Sequence, residues 1–178
     1  MDQTLAIILK DTYSLTQLKS RLRILKSSLL KTFFGGSTGS TPGESPSTSL
    51  GTSGPIFEVN ILPQDLNWLK SLPENFYRQF NKDNVYKIFT ELEAQIPKLP
   101  ILTMYLVFEP DFMSLGQIGA TVRKTFVQPT LLLDIKLNPG LIAGIALVWK
   151  GIYKDYSVKA KIEQRKEEIL QGFKRFLR

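Results

Sequence analysis

Residues 137–164 read LNPGLIAGIALVWKGIYKDYSVKAKIEQ, and this stretch decides the predicted fold. The NPG turn opens a long apolar run, which predicts a nearly continuous strand over LIAGIALVWKGIY. The KDYS turn follows, and Ser157 is the predicted N-cap of a charged helix that begins at Val158. Nothing in this stretch has the chemistry of a catalytic group, so its role is structural or lies in binding.

The residues before this stretch complete an α+β domain over residues 100–178. ILTMYLVFE is rich in β-branched and aromatic residues and predicts a strand. TLLLDIKL alternates and predicts a half-buried strand with Leu131, Leu133, Ile135 and Leu137 on one face. Between them Asp111 starts a predicted helix, with apolar residues at helical spacing at Phe112, Leu115, Ile118, Val122 and Phe126. The predicted order is strand, helix, strand, strand, helix.

The terminal helix is predicted to carry one apolar stripe, formed by Val158, Ile162, Ile169, Phe173 and Phe176. Its last part lies near the chain end, where a domain of this size lacks a wall to cover it. We therefore expect part of the stripe to be left for a partner. The partner-binding candidates are Ile169, Phe173, Phe176 and Leu177.

A compositional boundary lies at residues 35–54, GGSTGSTPGESPSTSLGTSG, where eighteen of twenty residues are Gly, Ser, Thr or Pro. Such a segment buries too little apolar area to offset its ordering entropy, so it predicts a flexible linker. It separates a basic amphipathic helix over residues 1–34 from a short helical region over residues 55–99.

The first of these regions has a narrow leucine seam at helical spacing, made of Leu15, Leu18, Leu22, Leu25 and Leu29. The other faces are predicted to carry Lys19, Arg21, Arg23, Lys26 and Lys31. Two interpretations stay open: a helix packed on its own domain with a solvated basic face, or a helix that binds a partner helix bundle. Binding to a membrane or a nucleic acid is favoured less, because a membrane-surface helix usually shows a broader apolar face.

The second region contains three short helical phrases, which begin near Pro63, Pro73 and Asp83. Its aromatic residues are Trp68, Phe76, Tyr77, Phe80 and Tyr86. Aromatic residues that stack RNA bases usually lie on strands, and these lie on predicted helices. We therefore interpret them as core residues.

Composition excludes several functions. The chain has no Cys and no His, which excludes a thiolate nucleophile, a zinc site of the usual kind and a His acid/base catalyst. No cofactor or metal site is expected. The net charge of +7 favours contact with anionic surfaces without choosing among them. The opening LAIIL is too short for a signal-peptide core, so we expect a soluble, unsecreted protein.

Two blocks in the C-terminal domain resemble the C-terminal signature of the delta subunit of F-type ATP synthases, the oligomycin-sensitivity-conferring family. The first block is LNPGLIAGI, matched at Leu141, Ile142, Ala143, Gly144 and Ile145. The second is DYSVKAKIE, matched at Asp155, Ser157, Val158, Lys159, Lys161, Ile162 and Glu163. Their spacing agrees with the family, and the preceding strand, helix and strand occur there in the same order. The matched residues Leu141 to Gly144 and Asp155 to Val158 are expected to be scaffold, without catalytic roles.

The chain also departs from this family. Tyr156 replaces a turn glycine and Asn138 replaces an acid before the first turn. The family's helical N-terminal bundle, which holds the tails of the alpha subunits, begins with a Tyr-Ala-x-Ala type motif that this chain lacks.

The resemblance implies a non-catalytic subunit of the peripheral stalk, the stator that links the catalytic head to the b-subunit helices. It implies partners among the b and alpha subunits and a peripheral location on the cytoplasmic face of a bacterial cell membrane. The main alternative is a small basic RNA- or ribosome-binding protein, whose affinity would depend strongly on salt. An enzyme is third, because Glu109, Asp111 and Asp134 have nothing that pairs them into a site.

Overall fold

A computed structural model describes residues 3–35 and 63–177 of the chain. These residues form two compact units, which we name by their main elements. The sheet unit comprises Met1–Leu18 and Gln95–Arg178, and the helical unit comprises Lys19–Ala94. The predicted linker over residues 35–54 lies outside the described residues, apart from Gly35. The predicted division at residues 34, 54 and 99 therefore stays a prediction.

The sheet unit combines a four-stranded mixed sheet with helices, which confirms the predicted α+β class. The strand order is β2-β1-β3-β4; β1 pairs parallel with β2 and antiparallel with β3, and β3 pairs antiparallel with β4. Short 3₁₀ turns occupy Ile96–Lys98 and Pro139–Leu141. The elements are α1 (Gln3–Leu9), β1 (Ile101–Leu106), α6 (Phe112–Phe126), β2 (Leu132–Leu137), β3 (Ile145–Trp149), β4 (Ile152–Asp155), α7 (Val158–Gln164) and α8 (Lys166–Phe176), with α2 to α5 given below.

The core of this unit lies between α6 and one face of the sheet. Asp111, the predicted start of this helix, is the N-cap of α6, because its side chain accepts a 2.7 Å hydrogen bond from the Ser114 N–H. The buried residues of the core are Leu102, Met104 and Leu106 on β1, Leu131 just before β2, and Leu133 on β2. The residues of α6 that pack on them are the predicted ones, Leu115, Ile118, Val122 and Phe126. The apolar residues at helical spacing on α6 therefore pack against the alternate, buried residues of β1 in one apolar layer.

The predicted single strand over LIAGIALVWKGIY is wrong, because the structure makes it a β-hairpin. Lys150 and Gly151 turn the chain with φ values of 49° and 80°, and Trp149 pairs with Ile152 across the turn. Positive φ at both central residues is the geometry that joins two twisted antiparallel strands. The strand β4 therefore lies inside the segment that was predicted to be one strand and a turn.

The N-terminal residues of the chain belong to the sheet unit, which the sequence did not predict. Residues Thr4, Leu5, Ile8 and Leu9 of α1 are buried, and Ser14 forms a parallel bridge with Leu133. The Leu133 N–H donates a 2.8 Å hydrogen bond to the Tyr13 carbonyl. This single bridge lies beside the first half of β2, where Leu131, Leu132 and Leu133 are all buried.

Arg123 on α6 holds this N-terminal segment in place. Its guanidinium donates hydrogen bonds to the carbonyl oxygens of Leu9 (3.1 Å) and Thr12 (2.5 Å), and its Nε donates to that of Leu131 (3.0 Å). It also lies 4.7 Å from the centre of the Tyr13 ring. Burial lowers the pKa of Arg123, and its carbonyl partners take the place of water. One cation thus satisfies carbonyl groups at the end of α1 and at the start of β2.

The described residues of the helical unit form four helices around an aromatic core. The buried rings of Phe76, Phe80 and Phe89 form a chain of contacts, with centroids 5.3 Å and 6.0 Å apart. Tyr77 is partly buried and donates a hydrogen bond to the Leu69 carbonyl, whereas Tyr86 is exposed. The core interpretation of the aromatic residues thus holds except at Tyr86. The helices are α2 (Leu15–Phe34), α3 (Pro63–Ser71), α4 (Glu74–Tyr77) and α5 (Val85–Gln95).

We expect the contact between Tyr13 and α6 to be sensitive to a single methyl group. A Cβ at Gly119 would lie 2.5 Å from the Tyr13 ring, whereas one at Gly116 would lie 3.9 Å away. Gly119→Ala should destabilise the chain by about 1–3 kcal/mol, because the added carbon overlaps Tyr13. Gly116→Ala, on the same helix, should be neutral or stabilising by up to ~1 kcal/mol. Urea unfolding of both variants measures the difference, and equal effects would contradict the contact.

Candidate functional site

The two sequence blocks that carry the family resemblance meet in space, and we call their contact the motif junction. It joins residues 141–145 to residues 155–158. The Val158 N–H donates a 2.8 Å hydrogen bond to the Ala143 carbonyl, and the Tyr156 N–H donates a 2.9 Å bond to the Ile145 carbonyl. The junction therefore ties the start of β3 to the start of α7.

Gly144 makes this junction possible. Its φ is +90°, and a Cβ there would lie 2.7 Å from the Tyr156 carbonyl oxygen and 3.0 Å from the Ser157 Cα. A side chain at this position would both strain the backbone and collide with another backbone segment.

Asp155 and Ser157 shape the turn into α7. The Asp155 carboxylate accepts a 2.8 Å hydrogen bond from the Ser157 N–H, and the Ser157 hydroxyl accepts a 3.2 Å bond from the Ala160 N–H. Hydrogen bonds from the Ser157 side chain and backbone hold the pKa of Asp155 below its usual value. Ser157 is fully buried and is the predicted N-cap. Tyr156, which stands where the family has glycine, is not among the residues with positive φ.

The other matched residues divide between core and surface. Leu141 is buried, whereas Ile142, Ala143 and Val158 are exposed. Ile142 has a φ of 66° and a ψ of −57°, and the Ala143 N–H donates to the Leu141 carbonyl across it at 2.8 Å. This is a γ-turn of the rare strained kind, unusual for a β-branched residue. The close contact at Gly144 and the strained turn at Ile142 thus lie in one short segment.

The terminal helix differs from the prediction in one respect, because it is divided into α7 and α8. Arg165 lies between them with φ −108° and ψ 15°, outside helical geometry. No residue of α7 or α8 is buried. The apolar stripe of α8 faces outward; Phe173 is 63% exposed and Phe176 is 89% exposed. Ile169, Gly172, Phe173 and Phe176 line a shallow apolar depression.

The leucine seam is largely buried, unlike the apolar residues of α8. Leu18, Leu22, Leu25 and Leu29 are buried within the chain, and Leu15 is partly buried. The structure therefore favours the first of the two interpretations, a helix packed on its own protein. These leucines do not form a free surface for a partner helix.

The predicted basic face of the same helix is wrong at one residue. Arg21 is buried, with its Nε 3.6 Å from an Asp65 carboxylate oxygen and its guanidinium 4.7 Å from the centre of the Trp68 ring. Asp65 and Trp68 lie on α3, so the sequence of α2 alone does not predict their contacts with Arg21. Lys19, Arg23 and Lys31 are exposed as predicted, and Lys26 is half-buried with its Nζ 3.7 Å from Glu93.

Neither a metal centre nor a membrane span is found in the described parts of the chain. Residues 3–35 and 63–177 contain no cluster of three or more acidic, His or Cys side chains that could bind a metal ion. Within the same ranges, no helix has both the length and the apolar character needed to cross a bilayer.

Comparison with known proteins gives two relatives with different names. ATP synthase subunit delta of Verminephrobacter eiseniae (strain EF01-2) is 30% identical over 109 residues, which cover 56% of this chain and 59% of that protein. Tyrosine-protein kinase HTK16 of Hydra vulgaris is 30% identical over 138 residues, which cover 71% of this chain and 17% of the kinase. No protein-family model matches the chain. The chain is therefore similar to an ATP synthase delta subunit, and it spans less than two thirds of either relative.

The first prediction for this site isolates the close approach at Gly144. Gly144 and Gly151 both have positive φ, but a Cβ at Gly151 would meet open space. Gly151→Ala should cost about 1–2 kcal/mol from backbone strain alone. Gly144→Ala should cost at least ~1 kcal/mol more, because it also forces the junction apart. Chemical unfolding of the two variants gives the comparison, and equal losses would refute the junction as a tight contact.

The second prediction concerns pH. Because the pKa of Asp155 is lowered in the folded state, the stability it contributes is present above the unfolded-state pKa. That contribution is lost as the pH falls through the lowered value. Asp155→Asn keeps an acceptor but removes the charge, so it should be less stable than the native chain at neutral pH and equally stable in acid. Urea unfolding midpoints of the native chain and of Asp155→Asn, measured from acid to neutral pH, test this prediction. Glu91→Gln is the control for removing a negative charge. A stability difference between Asp155→Asn and the native chain that does not change with pH would contradict the prediction.

Proposed function

We propose that this chain is a non-catalytic, delta-type subunit of an F-type ATP synthase, which belongs to the peripheral stalk and links the catalytic head to the b-subunit helices. The observation that carries the proposal is the motif junction, in which two separate blocks of the family signature form one contact. Similarity to a bacterial delta subunit over 109 residues supports it. On this proposal the chain lies peripherally on the cytoplasmic face of the membrane and contacts the b and alpha subunits.

The structure offers a surface that suits such a connector. The α8 stripe consists of Ile169, Phe173 and Phe176, extended by Leu177, and all four residues are exposed. Aromatic residues on an exposed helix are the kind of anchor that dominates protein interfaces. The second part of the proposal is therefore that the b-subunit helices bind this stripe. The buried leucine seam is not part of the proposed interface.

The alternative of an RNA- or ribosome-binding protein gains little from the structure. Trp68, Phe76 and Phe80 are buried and are not available to stack on bases. The basic residues Arg21 and Arg123 are engaged with protein groups, Asp65 and backbone carbonyl oxygens respectively. Within residues 3–35 and 63–177 we find no feature that specifically favours this second function.

The α8 stripe gives a direct test of binding. Replacing Phe173 and Phe176 with Asp should weaken binding to a peptide from the C-terminal end of the b helices by several kcal/mol, about 2–4 for two aromatic anchors. The fold should persist, because both side chains are exposed and the sheet core lies elsewhere. Titration calorimetry measures binding and circular dichroism melting measures folding. Gln171→Asp, which adds a negative charge on the exposed polar part of α8, is the control and should bind normally.

Purification from native membranes tests the proposal as a whole. The chain should be recovered with b-type stalk helices and alpha subunits. Recovery instead with ribosomes or RNA would end the stalk proposal. If the chain binds the b peptide but the double variant binds equally well, the assignment to the stalk stands and the α8 interface is wrong.

A further inference from the structure

The break between α7 and α8 lies at residues that normally continue a helix. Sharp changes of direction in helices are nearly always found at Pro, at Gly and Ser, at π-bulges, or where a side chain or water enters the hydrogen-bond ladder. The residues at this break are Gln164, Arg165 and Lys166, which all favour helices. No residue of α7 or α8 is buried, so packing against the sheet unit does not impose the break either.

The apolar residues of the two helices are spaced for one continuous helix. At 100° per residue, an uninterrupted helix places its apolar residues within a sector of about 60°. That sector holds Val158, Ile162, Ile169, Phe173 and Phe176, and no other residue of the stretch falls inside it. The break divides this single stripe into one short stripe on α7 and another on α8.

The break also leaves backbone donors without acceptors. Among the described residues, the N–H groups of Lys166, Glu167 and Glu168 have no hydrogen-bond acceptor. The Ile162 carbonyl accepts a 3.2 Å hydrogen bond from the Arg165 N–H. In a continuous helix each of the three donors would bind the carbonyl group four residues earlier, and Ile162 would accept from Lys166. The continuous form therefore gains up to three backbone hydrogen bonds.

The charges, in contrast, favour two separate helices. Lys161 lies in the last turn of α7, and Glu167 and Glu168 lie in the first turn of α8, so each charge suits the dipole of its own helix. The Arg165 Nε lies 3.0 Å from a Glu168 carboxylate oxygen, and both side chains are exposed. Exposed ion pairs and dipole interactions are individually weak and are screened by salt.

We propose that residues 158–176 form a two-state element, in which the broken form exchanges with one continuous helix. Backbone hydrogen bonds favour the continuous form and local charges favour the broken form, so both are populated in the free chain. Straightening joins the two short stripes into one and changes the surface that the terminal helix presents. A molecule that binds the joined stripe better shifts the exchange toward the continuous form. This inference does not rest on the proposed function, because it concerns the chain alone.

A distance measurement between two spin labels on the full chain tests for the two forms. Because the chain has no Cys, labels attached through Lys159→Cys and Lys174→Cys meet no background thiol, and both positions are exposed. In the continuous helix the two Cα atoms are about 22 Å apart, and a bend at Arg165 shortens this distance. Double electron–electron resonance should show two distances, each with at least about a tenth of the population.

Two further substitutions, made in the labelled chain, should each favour one form. Arg165→Ala removes the ion pair with Glu168 and introduces the best helix former, so it should raise the ratio of the longer to the shorter distance at least about threefold. Lys166→Pro should leave only the shorter distance, because Pro is tolerated at the first position of α8 but interrupts a continuous helix. The matched control is Arg175→Ala, the same exchange near the end of α8, which should leave the ratio unchanged.

Amide hydrogen exchange gives an independent measurement at the break itself. The N–H groups of residues 166–168 are hydrogen-bonded only in the continuous form. Their exchange should therefore slow severalfold in Arg165→Ala and stay at the native rate in Arg175→Ala. A single distance in the native labelled chain would overturn the proposal, and so would equal responses to Arg165→Ala and Arg175→Ala in either measurement.

Discussion

The approach of Gly144 to the backbone of Tyr156 and Ser157 is the constraint on which the C-terminal half of the chain depends. The contact holds the segment that follows the 3₁₀ turn against the segment that follows β4. The two ends of the hairpin formed by β3 and β4 are therefore held together. The same contact places Ser157 where its hydroxyl caps α7. A residue with a Cβ at position 144 would separate these segments and move the start of the terminal helices.

Local chemistry in the sequence was sufficient for many of the elements. Ser157 was predicted as a helix N-cap and Asp111 as the start of a helix, and each accepts a hydrogen bond from the N–H three residues later. The apolar spacing of α6 and the alternation of TLLLDIKL were also predicted, and both sets of residues contribute to the core. The hairpin was missed because Lys150 does not carry the usual turn signal, although the following Gly151 does. An apolar run on both sides of a single Lys-Gly pair is consistent with one strand or with two.

Contacts between distant parts of the chain were not predictable. Arg21 was predicted to lie on a solvated face, because the sequence of α2 shows only the spacing of its own residues. The partners of Arg21, Asp65 and Trp68, lie on α3. Arg123 was given no role, yet it donates to carbonyl groups more than a hundred residues away. Such residues gain their function from the fold, because a buried guanidinium is tolerated only where several acceptors converge. The same holds for the candidate site. The motif residues could be identified from the sequence, but the contact between the two blocks is seen only in the structure.

The position of α8 follows from the junction and from the break at Arg165. α7 is fixed at its start by the Val158 bond to Ala143, but Arg165 leaves helical geometry and no side chain caps the next helix. α8 thus begins beyond the last element that the sheet unit holds by its own hydrogen bonds. None of its residues is buried, although its apolar residues lie on one side as in a helix that packs. An amphipathic helix without a core to cover its stripe is stabilised mainly by what binds it. The exposure of Phe173 and Phe176 therefore agrees with the proposal that another chain packs on α8.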